Sequence, residues 1–364
     1  CLSWAILHQI SGEYAGRFLD DRLGVNLGLR APFFRRNLTN NCYTTSASGF
    51  VNCTVTGVGG SAYSTFVPAA YAPPQQRVLD YNRVLPNAGI TYDFTPAFGI
   101  YFNYSRGIQV PGTDNLYNSF YFAPGTPEAS PKPETTDNFD LGARYRSATV
   151  QAQLTGWFTN YKDRLASAYD PVLDTTVYRN LGTVHKYGVD GSVAWAPVPA
   201  ALLYVWGSYL KSEIRDNVQI GTDAADNPIY AMTRGKRESA APTFTIGARA
   251  QVAIGPLDLG GQVKRTGPRY VNDQNTPVYQ TIGGKLTEVY GAKAPAYTLV
   301  DLDARLNLGG FTPLGDKTWV QINVLNVFDK LYVGSFDGNL LNTSVPFAQI
   351  GYPRTFMASL VVGF

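Results

Sequence analysis

The chain ends on "RTFMASLVVGF" (354–364), which sets Phe356, Ala358, Leu360, Val362 and Phe364 on alternate positions, with Thr355, Ser359 and Gly363 between them. Successive strand side chains point to opposite faces, so this segment has one wholly apolar face and one of small, mostly polar residues. Apolar surroundings are implied on one side only.

The same period of two runs back along the chain. Leu23, Val25, Leu27 and Leu29 alternate with Gly24, Asn26, Gly28 and Arg30, and Phe98, Ile100, Phe102 and Tyr104 alternate with Gly99, Tyr101, Asn103 and Ser105. In "VQAQLTGWF" (150–158) Val150, Ala152, Leu154 and Phe158 oppose Gln151, Gln153 and Thr155; in "FTIGARAQVAI" (244–254) the apolar row opposes Thr245, Gly247, Arg249 and Gln251. This is the strand period, not the helical one.

Alternation of this kind marks about thirteen strands, the first near 3–14 and the last near 351–364. Connections alternate between tight ones, such as "TPA" (95–97), "RSA" (146–148), "APVPA" (196–200) and "IGPL" (254–257), and long ones rich in Gly, Pro, Asn and Asp. The long loops are expected near 35–85, 109–133, 214–240, 271–295 and 331–350. Strands of roughly ten to thirteen residues match the length needed to cross hydrocarbon at a tilt. Phe33, Phe34, Phe94, Tyr104, Trp157, Tyr161, Trp195, Tyr270 and Trp319 fall near strand ends, where an interfacial girdle places aromatics.

Composition agrees. Twenty-four Tyr, 19 Phe and 36 Gly with 16% charged residues describe a chain rich in strand formers and turn residues. No stretch approaches the roughly 18 apolar residues of a membrane-spanning helix. A net charge of +3, with basic residues spread along the chain, gives no footprint for nucleic acid. A soluble β-propeller would also alternate, but no forty-residue repeat is present. The would-be inner face carries Arg30, Asp140, Arg144, Asp190, Arg249, Lys264, Asp301, Asp303 and Arg305, more charge than a dry core tolerates. The fold expected is all-β, a transmembrane antiparallel up-and-down β-barrel, with residues 1–364 as the C-terminal portion of one barrel domain.

Bacterial single-chain barrels close with an even strand number, and an open edge in lipid costs several kcal/mol per unpaired backbone group. "CLSWAILHQISGEY" already alternates and lacks an export signal, so further strands ahead of Cys1, from the same gene product or another chain, are expected to complete the cylinder. Cys42 and Cys53 bracket a polar stretch and read as a disulfide clasping an exposed loop, with free thiols as the alternative. Cys1 is left over, paired upstream or unpaired.

Several segments resemble the TonB-dependent receptors of Gram-negative outer membranes. They are "SRGIQVPGTDNLYN" (105–118), the run from Lys132, Pro133 and Glu134 to Tyr161, Lys162 and Asp163, and "NLGTVHKYGVDGSVAWAP" (180–197). The most specific are "INVLNVFDKLYVGS" (322–335) and "GYPRTFMASLVVGF" (351–364), found in that order. The resemblance implies a barrel of about 22 strands filled by an N-terminal plug, of which this chain holds the C-terminal strands and no plug. It also implies outer-membrane lipid as surroundings, contact with the TonB complex through the plug, and Phe364 as the signal read by the barrel-assembly machinery.

The two histidines, His8 and His185, lie far apart and no cysteines have zinc spacing, so no metal centre, no cofactor and no enzymatic activity are expected. The function expected is TonB-dependent uptake of a scarce bulky small molecule, a ferric siderophore or similar iron chelate. A passive porin or structural outer-membrane barrel, or TonB-dependent uptake of a non-iron substrate such as an oligosaccharide or cobalamin, is the alternative. Aromatics and cations of the long loops suit an anionic aromatic chelate, which nominates Arg106, Tyr117, Phe120 and Tyr121 in one loop and Arg269, Tyr270, Tyr279 and Tyr290 in another. Each also reads as an ordinary loop or girdle residue. Arg144, Arg249, Asp301, Asp303 and Arg305 are expected to face the plug.

Overall fold

A computed structural model describes residues 2–46, 49–55, 67–125, 129–170, 175–222, 227–309, 317–343 and 346–362. Its frame is one antiparallel sheet. The first seven wall strands are β1 (Leu2–Phe18), β2 (Leu23–Asn40), β3 (Leu85–Thr95), β4 (Phe98–Gln109), β5 (Glu134–Arg146), β6 (Val150–Lys162) and β7 (Val184–Val198). Six more follow: β8 (Ala201–Ile214), β9 (Phe244–Ile254), β10 (Leu257–Thr266), β11 (Tyr297–Asn307), β12 (Trp319–Leu325) and β13 (Thr355–Val361). Each pairs with its sequence neighbour, so the order in space is the order in the chain. Among the described residues β1 and β13 gain no further strand partner.

This meander satisfies the backbone by neighbour pairing alone, the requirement in a medium without water. Directly paired residues share a face, so the register assigns every side chain. Phe356 pairs with Val324, Val324 with Leu302, Leu302 with Gly261, Gly261 with Ala250 and Ala250 with Leu203, an apolar row across six strands. Ile246 and Leu154 on this face are 51% and 58% exposed, which fits contact with acyl chains rather than a core. The opposite face carries Arg144, Arg249, Asp301, Asp303 and Arg305, as the alternation predicts. Phe364 lies outside the described residues.

The inner face is kept level by pairing bulk with its absence. Tyr101 pairs with Gly142 and lays its ring over it; a Cβ built at Gly142 would meet Tyr101 Cζ at 2.4 Å. The Tyr101 hydroxyl reaches Thr155 Oγ1 at 2.5 Å, and the Arg144 guanidinium stacks on the ring at 4.3 Å.

The strands are joined at one end by the short turns 19–22, 96–97, 147–149, 199–200 and 255–256 and the longer connection 308–318, and at the other by long loops. Three expectations are corrected here. The first long loop is shorter than 35–85, because β2 continues to Asn40 and a strand Gln75–Asn82 pairs with its upper half. A loop at 163–183 was not anticipated; it folds as a hairpin, Leu165–Asp170 on Thr175–Asn180, whose β-formers resemble wall strands. Phe34, Trp157, Tyr161 and Trp319 are not girdle residues but inward-facing. Trp157, for instance, pairs with Asp140 and Gly188, and strand position alone does not distinguish the two faces.

Candidate functional site: the loop end of the barrel wall

The long loops are built structures. In loop 110–133 a short helix α1 (Thr113–Asn118) and the 3-10 turn Ser119–Tyr121 that follows it place Leu116 and Phe120 against Leu38 and Tyr81 as a small buried core. Arg77, on the strand that extends the wall, fastens it. Its guanidinium donates to the carbonyls of Ser119 (2.6 Å), Phe122 (2.6 Å) and Ala129 (3.0 Å) and lies 5.1 Å over the Phe120 ring. Burial without a carboxylate pulls the Arg77 pKa down, though an arginine with so high a starting value stays charged. Tyr81 closes the same loop by donating to Pro131 O at 3.0 Å, and burial, opposed by Arg36, pushes its hydroxyl up to about 12. The Cys42–Cys53 disulfide closes a neighbouring loop.

A second core unites three loops: Leu181 and Val184, Ile214 with Val218 and Ala231, and Leu340. Beside it lies a buried group of four charges. Glu134 Oε2 accepts from Arg164 at 2.9 Å and from the Leu165 N–H at 2.8 Å. Arg164 also donates to Glu238 Oε1 at 2.9 Å, and Lys186 Nζ sits 2.8 Å from Glu238 Oε2, a charge contact without aligned hydrogen-bond geometry. The Tyr161 ring lies 4.7 Å from the Arg164 guanidinium and 4.9 Å from Lys186 Nζ. Burial acts against both charges; the acids Glu238 and Glu134 nonetheless raise the Arg164 pKa, and Lys186 and Arg164 hold Glu238 below the ordinary carboxylate range. Two acids and two bases compensate one another, the condition under which buried ions persist.

The nominated residues divide. Phe120 is fully buried and Tyr117 stacks on it at 5.5 Å, so both serve packing of the loop in this conformation. Arg106 is corrected from a loop position to the outward face of β4, where it makes a bidentate pair with Asp137 at 2.7 and 3.1 Å. Arg269 is 5% exposed and donates to Val333 O (2.6 Å) and Gly334 O (3.0 Å), with Phe336 4.9 Å beneath it. Tyr290 packs on the small core of Val271, Val278 and Ala294. Tyr121, Tyr270 and Tyr279 are half-exposed, with Lys293 Nζ 4.6 Å over the Tyr270 ring. Arg249 and Asp303 pair with each other, Asp301 accepts from the Asn326 N–H at 2.8 Å, and Arg305 lies 4.4 Å over Trp319. Sequence reading missed Arg77 and the Glu134, Lys186, Arg164 and Glu238 group. Glu134 stood out only as part of the Lys132, Pro133 and Glu134 motif, and the partners within the group lie tens of residues apart, so no local pattern announces their pairing.

The Arg144–Tyr101 pair stands near the short-turn end, and Tyr161 lies between Arg164 and Lys186, whose charges Glu134 and Glu238 compensate. What the loop end offers chemically is the pairs of Arg36 over Phe34 and Lys293 over the half-exposed Tyr270. Such pairs attract flat anionic groups. Among the described residues, no three His, Cys, Asp or Glu side chains converge as a metal site, and no helix is long and apolar enough to cross a membrane.

Comparison with known proteins places this architecture. The ferrioxamine receptor of Yersinia enterocolitica is 23% identical over 256 residues, covering 70% of this chain and 30% of its own length. The ferric yersiniabactin uptake receptor FyuA of Yersinia pestis superposes with a TM-score of 0.65 at 18% identity, over 100% of this chain and 46% of that one. The siderophore receptor PiuA of Acinetobacter baumannii gives 0.66 at 15% identity, over 98% of this chain and 43% of that one. The chain thus spans less than half the length of these relatives. At these identities the solved structures show the fold. The family model for the TonB dependent receptor-like β-barrel matches residues 8–327, and the chain belongs to that family of outer-membrane barrels.

Proposed function

We propose that the chain is the C-terminal part of the barrel domain of a receptor that takes up a ferric siderophore, or a similar iron chelate, across the outer membrane in a TonB-dependent manner. The observation that carries this reading is the pair of cation–aromatic contacts at the loop end, Arg36 over Phe34 and Lys293 over the half-exposed Tyr270, beside loops locked by their own cores. A ferric chelate with anionic aromatic arms meets there both charge and ring faces, with little ordering entropy left to lose. The relatives named as ferrioxamine, yersiniabactin and siderophore receptors support the same class. Arg144, Asp301 and Arg305 on the inner face would meet a plug domain supplied by the rest of the protein. That plug would be pulled by the TonB complex, and Phe364 would mark the last strand for the assembly machinery.

The test is uptake of radioactive iron, presented on a panel of hydroxamate, catecholate and phenolate chelators, by cells with and without the gene. Gene-dependent uptake of one class, abolished by a protonophore, supports the proposal. Uptake that survives the protonophore indicates a passive porin. Gene-dependent uptake only of an oligosaccharide or cobalamin rejects the iron assignment.

A further inference from the structure

On the inward face of β6, β7 and β8 the registers gather six side chains around one hollow of about 250 Å³: Gln153, Asp190, Ser192, Tyr204, Trp206 and Ser208. Gln153 pairs with Ser192 and Ser192 with Trp206, while Asp190 pairs with Ser208. The hollow stands at mid-wall, away from the long loops.

One side of it is aromatic. Trp206 lies over Gly247, its register partner on β9, where a Cβ would collide with the indole. The Tyr204 ring runs nearly parallel to it, at 20° and with centroids 5.3 Å apart, so the two make one plate on the wall. The other side is polar. The Gln153 amide nitrogen donates to the Tyr101 hydroxyl at 3.0 Å and to Thr155 Oγ1 at 3.2 Å, which fixes the side chain and leaves Oε1 to accept. Asp190, Ser192 and Ser208 make no side-chain hydrogen bond or ion pair among the described residues. Asp190 and Tyr204 are exposed to the lumen.

These groups select a ligand. An anion is repelled by Asp190 and by Asp140, which stands near enough to feel the Asp190 charge. A cation could use only the acceptors, not the serine hydroxyls as donors, and would meet Arg144, the register partner of Gln153. Arg249, beside Tyr204 in register, is already offset by Asp303. A neutral sugar ring uses every group. Its C–H face rests on the plate, because aromatic faces carry partial negative charge. Its hydroxyls, each donor and acceptor at once, meet the two serines, Gln153 Oε1 and the Asp190 carboxylate.

We infer that this hollow is a binding site for a neutral pyranose ring on the inward wall. The inference does not depend on the iron reading of the loop end. An aromatic plate seated on backbone and an amide already fixed leave little to order on binding, which suits a small ligand with few contacts.

Saturation-transfer difference NMR on the full-length receptor, in nanodiscs of phospholipids without sugar headgroups, tests this with the methyl pyranosides of glucose, galactose and mannose as probes. At least one is expected to take up saturation, most strongly at its ring C–H protons. Its affinity should fall about tenfold in Trp206→Ala, which removes a ring contact, and about fivefold in Asp190→Asn, which weakens a hydrogen bond to a charged acceptor. Trp319→Ala removes an inward ring on β12 outside the hollow and is expected to leave binding unchanged. Saturation of none of the pyranosides overturns the inference, as does equal saturation in wild type and Trp206→Ala. So does saturation of tetramethylammonium or benzoate in preference to every pyranoside, which would mark a cation or an anion site. If Trp206→Ala fails to assemble, Asp190→Asn decides: weakened pyranoside binding supports the site, and unchanged binding overturns it.

Discussion

Arg249 reaches diagonally over Gly260 to Asp303, its two terminal nitrogens 2.7 and 3.0 Å from the carboxylate oxygens. A Cβ at Gly260 would meet Asp303 Oδ2 at 2.4 Å and Arg249 Nη2 at 2.6 Å. The glycine is therefore what lets a salt bridge span three strands on the inner face. Replacing it with valine is expected to push the pair apart and destabilise the folded barrel by ~1–3 kcal/mol. Heat-dependent mobility of the full chain on semi-native gels would show it as a lowered transition; an unchanged transition would mean that the pair moves aside freely.

Arg164 is the hub of the buried charge group, so Arg164→Ala leaves Glu134 and Glu238 buried with one cation between them. A loss of ~3–5 kcal/mol is expected, confined to loops 163–183 and 215–243. Limited proteolysis should cut these loops in the variant while the wall strands stay protected. Equal cleavage of both forms would show that the hydrophobic core of Leu181, Ile214 and Leu340 holds the loops without the charges.

The same group sets a pH dependence. The Glu238 pKa lies below its ordinary value of 4.5 because, despite burial, Lys186 and Arg164 favour its ionised form. Its contribution is therefore complete above about 4.5 and is lost as pH falls through the lower folded-state value. Protease resistance of the loops is expected to be flat from neutral pH down to that point and to decline below it. In Glu238→Gln the resistance should be lower at neutral pH and the acid decline smaller. A wild-type decline between neutral pH and 4.5 would point to other groups.

Neighbouring residues of β6 give an internal control for facing. Leu154→Arg puts a charge on the outward face, where ~2–4 kcal/mol is lost near mid-bilayer, whereas Gln153→Arg puts it on the inner face at little cost. Assembly yield in lipid vesicles should fall for the first and hold for the second.

Much of the frame was legible in the sequence because a single period decides it: once Phe356 or Ile246 is assigned outward, register carries the assignment across the sheet. The thirteen wall strands and the facing of Arg144, Arg249, Asp303 and Arg305 follow from that rule. The loops obey no such rule. Phe120 and Arg269 have the residue types of a ligand site, yet one fills a core and the other holds the carbonyls of Val333 and Gly334. Arg106 shows the limit from the other side: it stands three residues before the expected loop at 109–133, and residue type alone does not tell an outward ion pair with Asp137 from a loop cation. Arg164 meets Glu238 across a sequence separation of 74, and only the folded loops bring them together.

The central claim is that the apolar rows face lipid and the charged rows face the lumen. Nitroxide labels on cysteines at Ile246 and Arg249, three residues apart on β9, test it most directly in reconstituted full-length protein. The account predicts that the label at Ile246 is relaxed by oxygen dissolved in the bilayer and the label at Arg249 by a water-soluble nickel chelate. The reverse pattern would contradict it.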